Sequence, residues 1–330
     1  MNFRKTAVAS AVGATLAFSG VALADGHETS FYGRINNAYD SGDLSGDDRT
    51  DLSGISSRFG FKGSAPINDD WSAHGRYEFG TVTDAEGGGV TDTRLAYVGV
   101  TGADFGTINV GNQWSTFYNM VGTHLDPTVS LGYYLYSSAA DLPYRVSNAI
   151  QYSNSFGAVN VSAEIRLNED GGADTAGTDS SSKGAEKIGE NDGHALGISF
   201  MPIEGLLLAV AVDSQDGVGT APDEDRTGYV AKYSMDNWWV SFGIGETDFD
   251  GDAVEQTQLH AGMSFGDGLS AFVGLGEVEA DGVSDTLDGT TINVTKVFGS
   301  SGFRLYWEYV DLDLGGTSGD RQLLGARIDF

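Results

Sequence analysis

The sequence predicts an all-β fold: sixteen antiparallel strands closed into a transmembrane barrel, with short turns on one rim and long loops on the other. Three observations carry this. Apolar and polar residues alternate with period two from one end of the chain to the other. The connections between alternating segments are themselves short and long by turns. Beyond the first 24 residues there is no run of about 18 apolar residues that could serve as a membrane helix.

The first element is a leader. "MNFRK" is basic, "TAVASAVGATLAFSGVA" is mildly apolar, and "ALA" at Ala22 to Ala24 offers small residues to a signal peptidase. Cleavage is expected between Ala24 and Asp25, leaving a single domain, 25–330, exported to the outer membrane. Removing Arg4 and Lys5 but no acid takes the formal charge from −29 to −31. A surface this acidic excludes nucleic acid as a partner, because phosphate binding needs clustered Lys and Arg. There is no cysteine, so strand ladders and packing must supply the stability.

The strands follow. "FYGRINNAY" puts Phe31, Ile35 and Tyr39 on one face and Arg34 and Asn36 on the other. "SSRFGFKGSAPINDDWSAHGRYEFG" sets Phe59, Phe61, Trp71, Tyr77 and Phe79 against Arg58, Lys62, His74, Arg76 and Glu78. In "RLAYVGV" the same reading separates Leu95 and Tyr97 from Arg94 and Ala96. "VNVSAEIRL", "LHAGMSF" and the terminal "RQLLGARIDF" repeat the pattern, the last ending on Phe330.

Short connections carry turn residues ("MPIEG", "SMDN", "FGDG", "FGSSG"). The long ones are acidic and glycine-rich, with "DFDGD" counted among them. Seven short and eight long connections join sixteen strands, and an even count with this rhythm is the outer-membrane barrel pattern. A soluble sandwich alternates too, but with strands of about 5–6 residues and no such rhythm.

In a large barrel the faces are inverted, apolar toward lipid and polar toward a wet lumen, and a charge facing lipid near the midplane costs about 2–4 kcal/mol. Arg34, Arg58, Arg76, Arg94, Arg145, Arg166, Lys232, Arg304 and Arg327 are therefore expected to line the lumen. Lys296 shares parity with Ile292, Val294 and Phe298, and is expected to snorkel from the lipid side toward the nearby turn.

The connection from Trp114 to Tyr144 is aromatic and apolar, unlike the other long ones. A solvated outer loop has no use for Phe117, Tyr118, Leu131, Tyr133, Tyr134 and Tyr136. A loop folded inward does, and it would narrow the pore and set Asp126 and Asp141 opposite the arginines.

These residues carry a resemblance. "FYGR", "SRFGFKG", "TRLAYVGV", "FGTINVGNQ", "FYNMVG", "SNAIQYSN" and the terminal "IDF" stand in this order from about Ser30 to Phe330, and together they resemble the Gram-negative general diffusion porins. The resemblance implies a homotrimer in contact with outer-membrane lipid and lipopolysaccharide. It implies a pore constricted by the third long loop (about 114–145), passing ions and small hydrophilic solutes without catalysis. By motif match the basic ladder falls on Arg34, Arg58, Arg94 and Arg145, joined by Lys62 and Arg76, with Asp126 as acidic counterpart. The family's "PEFGG" loop motif is absent; "DPTVSLG" stands there.

The eyelet arginines favour anions locally and the overall acidity favours cations at the mouth, so weak selectivity leaning to cations is expected. A substrate-specific channel for sugars or anions is the alternative, and an outer-membrane hydrolase or an adhesin stands further off. No cofactor is expected. "DSGDLSGDDRTD" (Asp40 to Asp51) spaces oxygen ligands as a calcium loop does, but lacks the terminal bidentate Glu.

Overall fold

The computed structural model describes residues 26–43, 48–85, 88–129, 143–167, 193–217, 222–282, 287–314 and 318–330. The expected leader boundary at Ala24 and Asp25 lies outside these residues, as do Asp141 and Tyr133, Tyr134 and Tyr136. The strands are β1 (Glu28–Gly42), β2 (Arg49–Gly54), β3 (Arg58–Pro66), β4 (Trp71–Thr81), β5 (Val90–Gly102) and β6 (Gly106–Trp114). After the inward loop come β7 (Arg145–Phe156), β8 (Val159–Arg166), β9 (Gly193–Ile203), β10 (Leu206–Gln215), β11 (Glu224–Met235) and β12 (Trp238–Phe249). The last are β13 (Asp252–Gly266), β14 (Leu269–Ala280), β15 (Leu287–Val297), β16 (Phe303–Leu314) and β17 (Ser318–Asp329).

Each strand pairs antiparallel with its neighbours, and β17 returns to β1. β2 and β3 are two halves of one stave, both paired to β1 and broken where Ser56 takes φ 51°. Seventeen segments thus make the sixteen staves expected. Closure leaves no free edge, which a hydrocarbon surround demands of any sheet. At the seam Gly33 and Phe330 exchange both backbone hydrogen bonds, at 2.8 and 3.0 Å. The Phe330 ring packs 5.9 Å from Phe31, and a Cβ on residue 33 would stand 2.6 Å from that ring, so the seam requires glycine there.

The outer face is apolar. Phe31, Phe59, Phe61, Tyr77 and Phe79 form one aromatic patch across β1, β3 and β4, and Val98 and Leu324 stand more than 60 % exposed. Lys296 lies on this face and donates to the Asp267 carbonyl in the β13–β14 turn, with its ammonium over Phe298. Toward the long-loop rim the outer face turns acidic: Glu246 stands opposite Glu255, Glu255 opposite Glu279, and Asp311 opposite Asp320.

Two features of the structure correct the sequence reading. Between β4 and β5, Glu78 pairs with Leu95 but Phe79 with Thr93, so Arg94 is an extra residue, a β-bulge. Leu95 and Tyr97 accordingly share the lumen face with Glu78 and Arg76, while Ala96 and Val98 face outward; Leu95 is fully buried. The bulge brings Arg94 inward as well. The second correction concerns "DFDGD", which is a two-residue turn at Asp250 (φ 58°) and Gly251 (φ 105°) and no long loop. Both residues tolerate the positive φ that such hairpin turns require.

The interior holds two small apolar clusters. One joins Phe117, Met120, Val121 and Leu125 of the loop to Ala209, Ala211 and Val230 of the wall. The other groups Ala38, Tyr306, Val310, Leu312 and Leu323, with Val129 of the loop packed against it.

Candidate functional site

Those two clusters lie on separate walls, and the loop after β6 touches both. The loop enters the barrel at once: Ser115 and Thr116 are buried, and the Thr116 amide donates to Glu164 on β8 at 2.8 Å. A short helical segment covering Tyr118–Gly122 and Thr123–Leu125 then lies on β9 to β12. Glycines in the wall make room for it. A Cβ at Gly197 would meet Met120 at 2.6 Å, and one at Gly243 would meet Leu125 at 2.2 Å. Past Asp126 the chain reaches β16, where the Val129 amide donates to Glu308 at 2.8 Å. Glu308 is fully buried and also takes a hydrogen bond from Asn293 at 2.7 Å. The described stretch of the loop, 115–129, is therefore tied at Thr116 and at Val129 to buried carboxylates on opposite walls.

Facing the loop, the guanidinium groups of six strands converge on two carboxylates. Glu78 on β4, 1 % exposed, takes Arg76 at 2.7 Å, Arg94 at 2.9 Å and Arg58 at 3.8 Å. Its partner Tyr32 donates to it at 2.9 Å while accepting from Arg76 at 2.6 Å. Asp329 on β17 takes Arg34 at 2.9 Å, Arg304 at 2.7 Å and Arg327 at 2.9 Å. Arg34 and Arg58 stand directly opposite one another in the β1–β3 ladder, which joins the two groups into one patch. Lys62 extends it, exposed and 5.9 Å from the Tyr32 ring.

Of the basic residues read from the sequence, Arg34, Arg58, Arg76, Arg94 and Lys62 thus come together. Arg145 does not join them. Asn148 takes φ 52° and inserts an extra residue into β7, so the alternation that grouped Arg145 with Gln151 is broken. Arg145 pairs with Trp114, its guanidinium 5.7 Å from the indole, beside a stack of Trp114 on Tyr118 and Tyr118 on Tyr144.

Asp126 is in the loop as expected, but its contacts are neutral. Tyr118 and Thr128 each donate to it at 3.2 Å. Burial raises its carboxyl above the usual range, and raises the Tyr118 phenol beside it. His124, two residues earlier, is pushed down to about 4 by burial and by Lys232. Asp40, in the acidic stretch with calcium-like spacing, is held by Arg321 at 2.6 Å and Arg49 at 3.2 Å.

The sequence reading missed Glu78, Glu164 and Glu308 as the groups that hold the site. Their signal was present: each acid sits on lumen parity with arginine or asparagine as a near neighbour, and an acid on that face needs a partner.

The family model described as Gram-negative porin matches residues 7–330. Outer membrane protein Omp-EA of Erwinia amylovora is 25% identical over 202 residues, 58% of this chain and 50% of that protein. Outer membrane protein F of Serratia marcescens is 31% identical over 119 residues, 34% of this chain and 30% of its own length. The chain thus matches half or less of the length of these curated relatives. Among solved structures, Salmonella typhi OmpF superposes with a TM-score of 0.74 at 17% identity, covering 92% of this chain and 98% of that one. An anion-selective porin from Comamonas acidovorans gives 0.71 at 17% identity, with 92% and 100% covered. The trimer form of OmpT of Vibrio cholerae gives 0.68 at 17%, with 93% and 100% covered. Identity at this level speaks to the fold.

Proposed function

Because the chain belongs to the Gram-negative porin family, and its place is the outer membrane, we propose that it forms a water-filled channel through which ions and small hydrophilic solutes diffuse passively. One observation carries this reading: the loop of residues 115–129 crosses the lumen, tied to Glu164 on one wall and Glu308 on the other. A bore crossed in this way is narrowed at that level, which is the geometry of a size filter.

At that level the arginine patch on the wall faces the loop, the arrangement that imposes a transverse field on water and dipolar solutes. Opposed groups closer than a screening length of about 8–10 Å keep that field in salt. A homotrimer is part of the proposal, supported by the apolar outer face and by the trimer form of the OmpT it resembles. Outer-membrane lipid and lipopolysaccharide are its surroundings, and catalysis and nucleic acid have no part in it.

Reconstitution of the purified protein in a planar bilayer tests this. Stepwise conductance rising linearly with salt, in steps grouped by threes, is the expected result. Membranes that stay sealed in every salt overturn the channel. Current that saturates with an added sugar replaces free diffusion by a substrate-specific channel, and ester or peptide hydrolysis by the purified barrel replaces it by an enzyme.

A further inference from the structure

We infer that the constriction of this channel favours small anions (halide, phosphate and short carboxylates) over cations, in spite of the chain's strongly negative charge. The inference rests on the channel reading and names its solute class.

The stoichiometry of the patch is the first ground. Six guanidiniums share two carboxylates, and Lys62 adds a seventh cation. Arginine does not give up its proton at any working pH. Among the described residues the charge of the patch therefore stays positive even with Asp126 and Glu308 both counted as ionised.

Depth is the second ground. The Glu78 side chain is 1% exposed, whereas Arg58, Arg76 and Arg94 around it are 19%, 30% and 13% exposed. The acid lies behind and the guanidiniums stand in front, so water in the lumen meets cations. Planar guanidiniums in a group offer paired N–H donors that match carboxylate and phosphate oxygens, and low-dielectric walls focus the field into the bore.

The third ground is where the negative charge goes. Glu246, Glu255 and Glu279 stand side by side on consecutive strands, and Asp311 faces Asp320. All five are on the face turned away from the lumen, the one opposite that of buried Gly245, Gln256 and Val278. These five acids count toward the overall charge without facing a permeating ion. On the loop side the Asp126 carboxylate accepts from Tyr118 and Thr128, both neutral.

The test is the zero-current potential of single channels under a tenfold KCl gradient at neutral pH. A potential of the sign set by chloride, with a chloride-to-potassium permeability ratio above one, is expected. A ratio at or below one overturns the inference and leaves the channel standing; absence of any conductance overturns the channel itself. In the double variant Arg58→Gln/Arg94→Gln the ratio should fall severalfold toward potassium, trimer mobility on gels reporting that the barrel has formed. Where that variant does not assemble, addition of inorganic phosphate to the wild-type channel decides: a concentration-dependent fall in chloride current supports the patch, and unchanged current overturns it.

Discussion

The two walls that the loop bridges use the same residue types to different ends. On β8, β10 and β11, acids and arginines alternate in a chain. Glu164 holds Arg166, Arg166 holds Asp213, Asp213 holds Arg226, and Arg226 holds Glu224. The two arginines are 7% and 2% exposed. Every cation lies between two acids, and little of the charge reaches the lumen. On the opposite wall Glu78 and Asp329 each lie among three cations, and part of each guanidinium reaches the lumen. The first arrangement is a girder and the second a source of field. The ratio of bases to acids around each buried carboxylate separates them, whereas the number of arginines does not.

Breaking the girder should cost most. Asp213→Asn takes one of two acids from each of two deeply buried guanidiniums, leaving Arg166 with Glu164 and Arg226 with Glu224, and two weakened charge-assisted bonds should together cost about 3 kcal/mol of the folded barrel's stability. Urea unfolding in detergent measures this, and the zero-current potential should not move. A shift in selectivity as large as that from Arg58→Gln/Arg94→Gln would erase the distinction between the walls.

On the field side, Glu78→Gln should cost less, about 2 kcal/mol, since the amide oxygen still accepts hydrogen bonds and the arginines keep partial access to water. Here the electrical readout should move, with the chloride ratio rising because a positive patch loses half of its buried counter-charge.

The loop itself sharpens the comparison. Gly243→Val places a side chain where Leu125 sits, and overpacking of this kind costs about 1–3 kcal/mol. The strain falls on the docked loop, so single-channel conductance should increase and become noisy while the barrel's own unfolding midpoint holds. Unchanged conductance would show that the helical segment does not set the bore.

The smallest effect concerns pH. Burial raises the Asp126 carboxyl, so the docked loop binds its proton more tightly than a released loop does. Docking is therefore favoured at low pH and weakens as pH climbs from the ordinary carboxylate range, about 4, through the raised value. Asp126→Asn should remove that slope, which the pH dependence of loop proteolysis reports. A slope that survives the substitution assigns it to another group.

Much of this molecule was legible in the sequence because a barrel's pleat is a strict code of period two. Phe31, Phe59, Phe79 and Phe330 were placed on the lipid face, and Arg34, Arg58 and Arg76 on the lumen face, from parity alone. What parity does not encode is a slip by one residue, which reverses the facing of everything beyond it. That is why Leu95 and Tyr97 were read outward; Arg145 entered the ladder by motif match, and the register shift at Asn148 breaks the alternation around it. The bulges at Arg94 and Asn148 leave little local mark, since asparagine and small neighbours also occur in ordinary strands. The latch of the loop was hidden for another reason. Thr116 and Val129 are held through their backbone amides, and a backbone donor has no letter in the sequence.

The seam has a consequence in time. Gly33 waits for Phe330, a partner at the far end of the chain, and no earlier strand can stand in without losing that ring contact. Until the last residue arrives, two rows of unpaired amides remain open, a state prone to mispairing with other chains. Joining the first strand to the final one is consequently the step that retires this hazard.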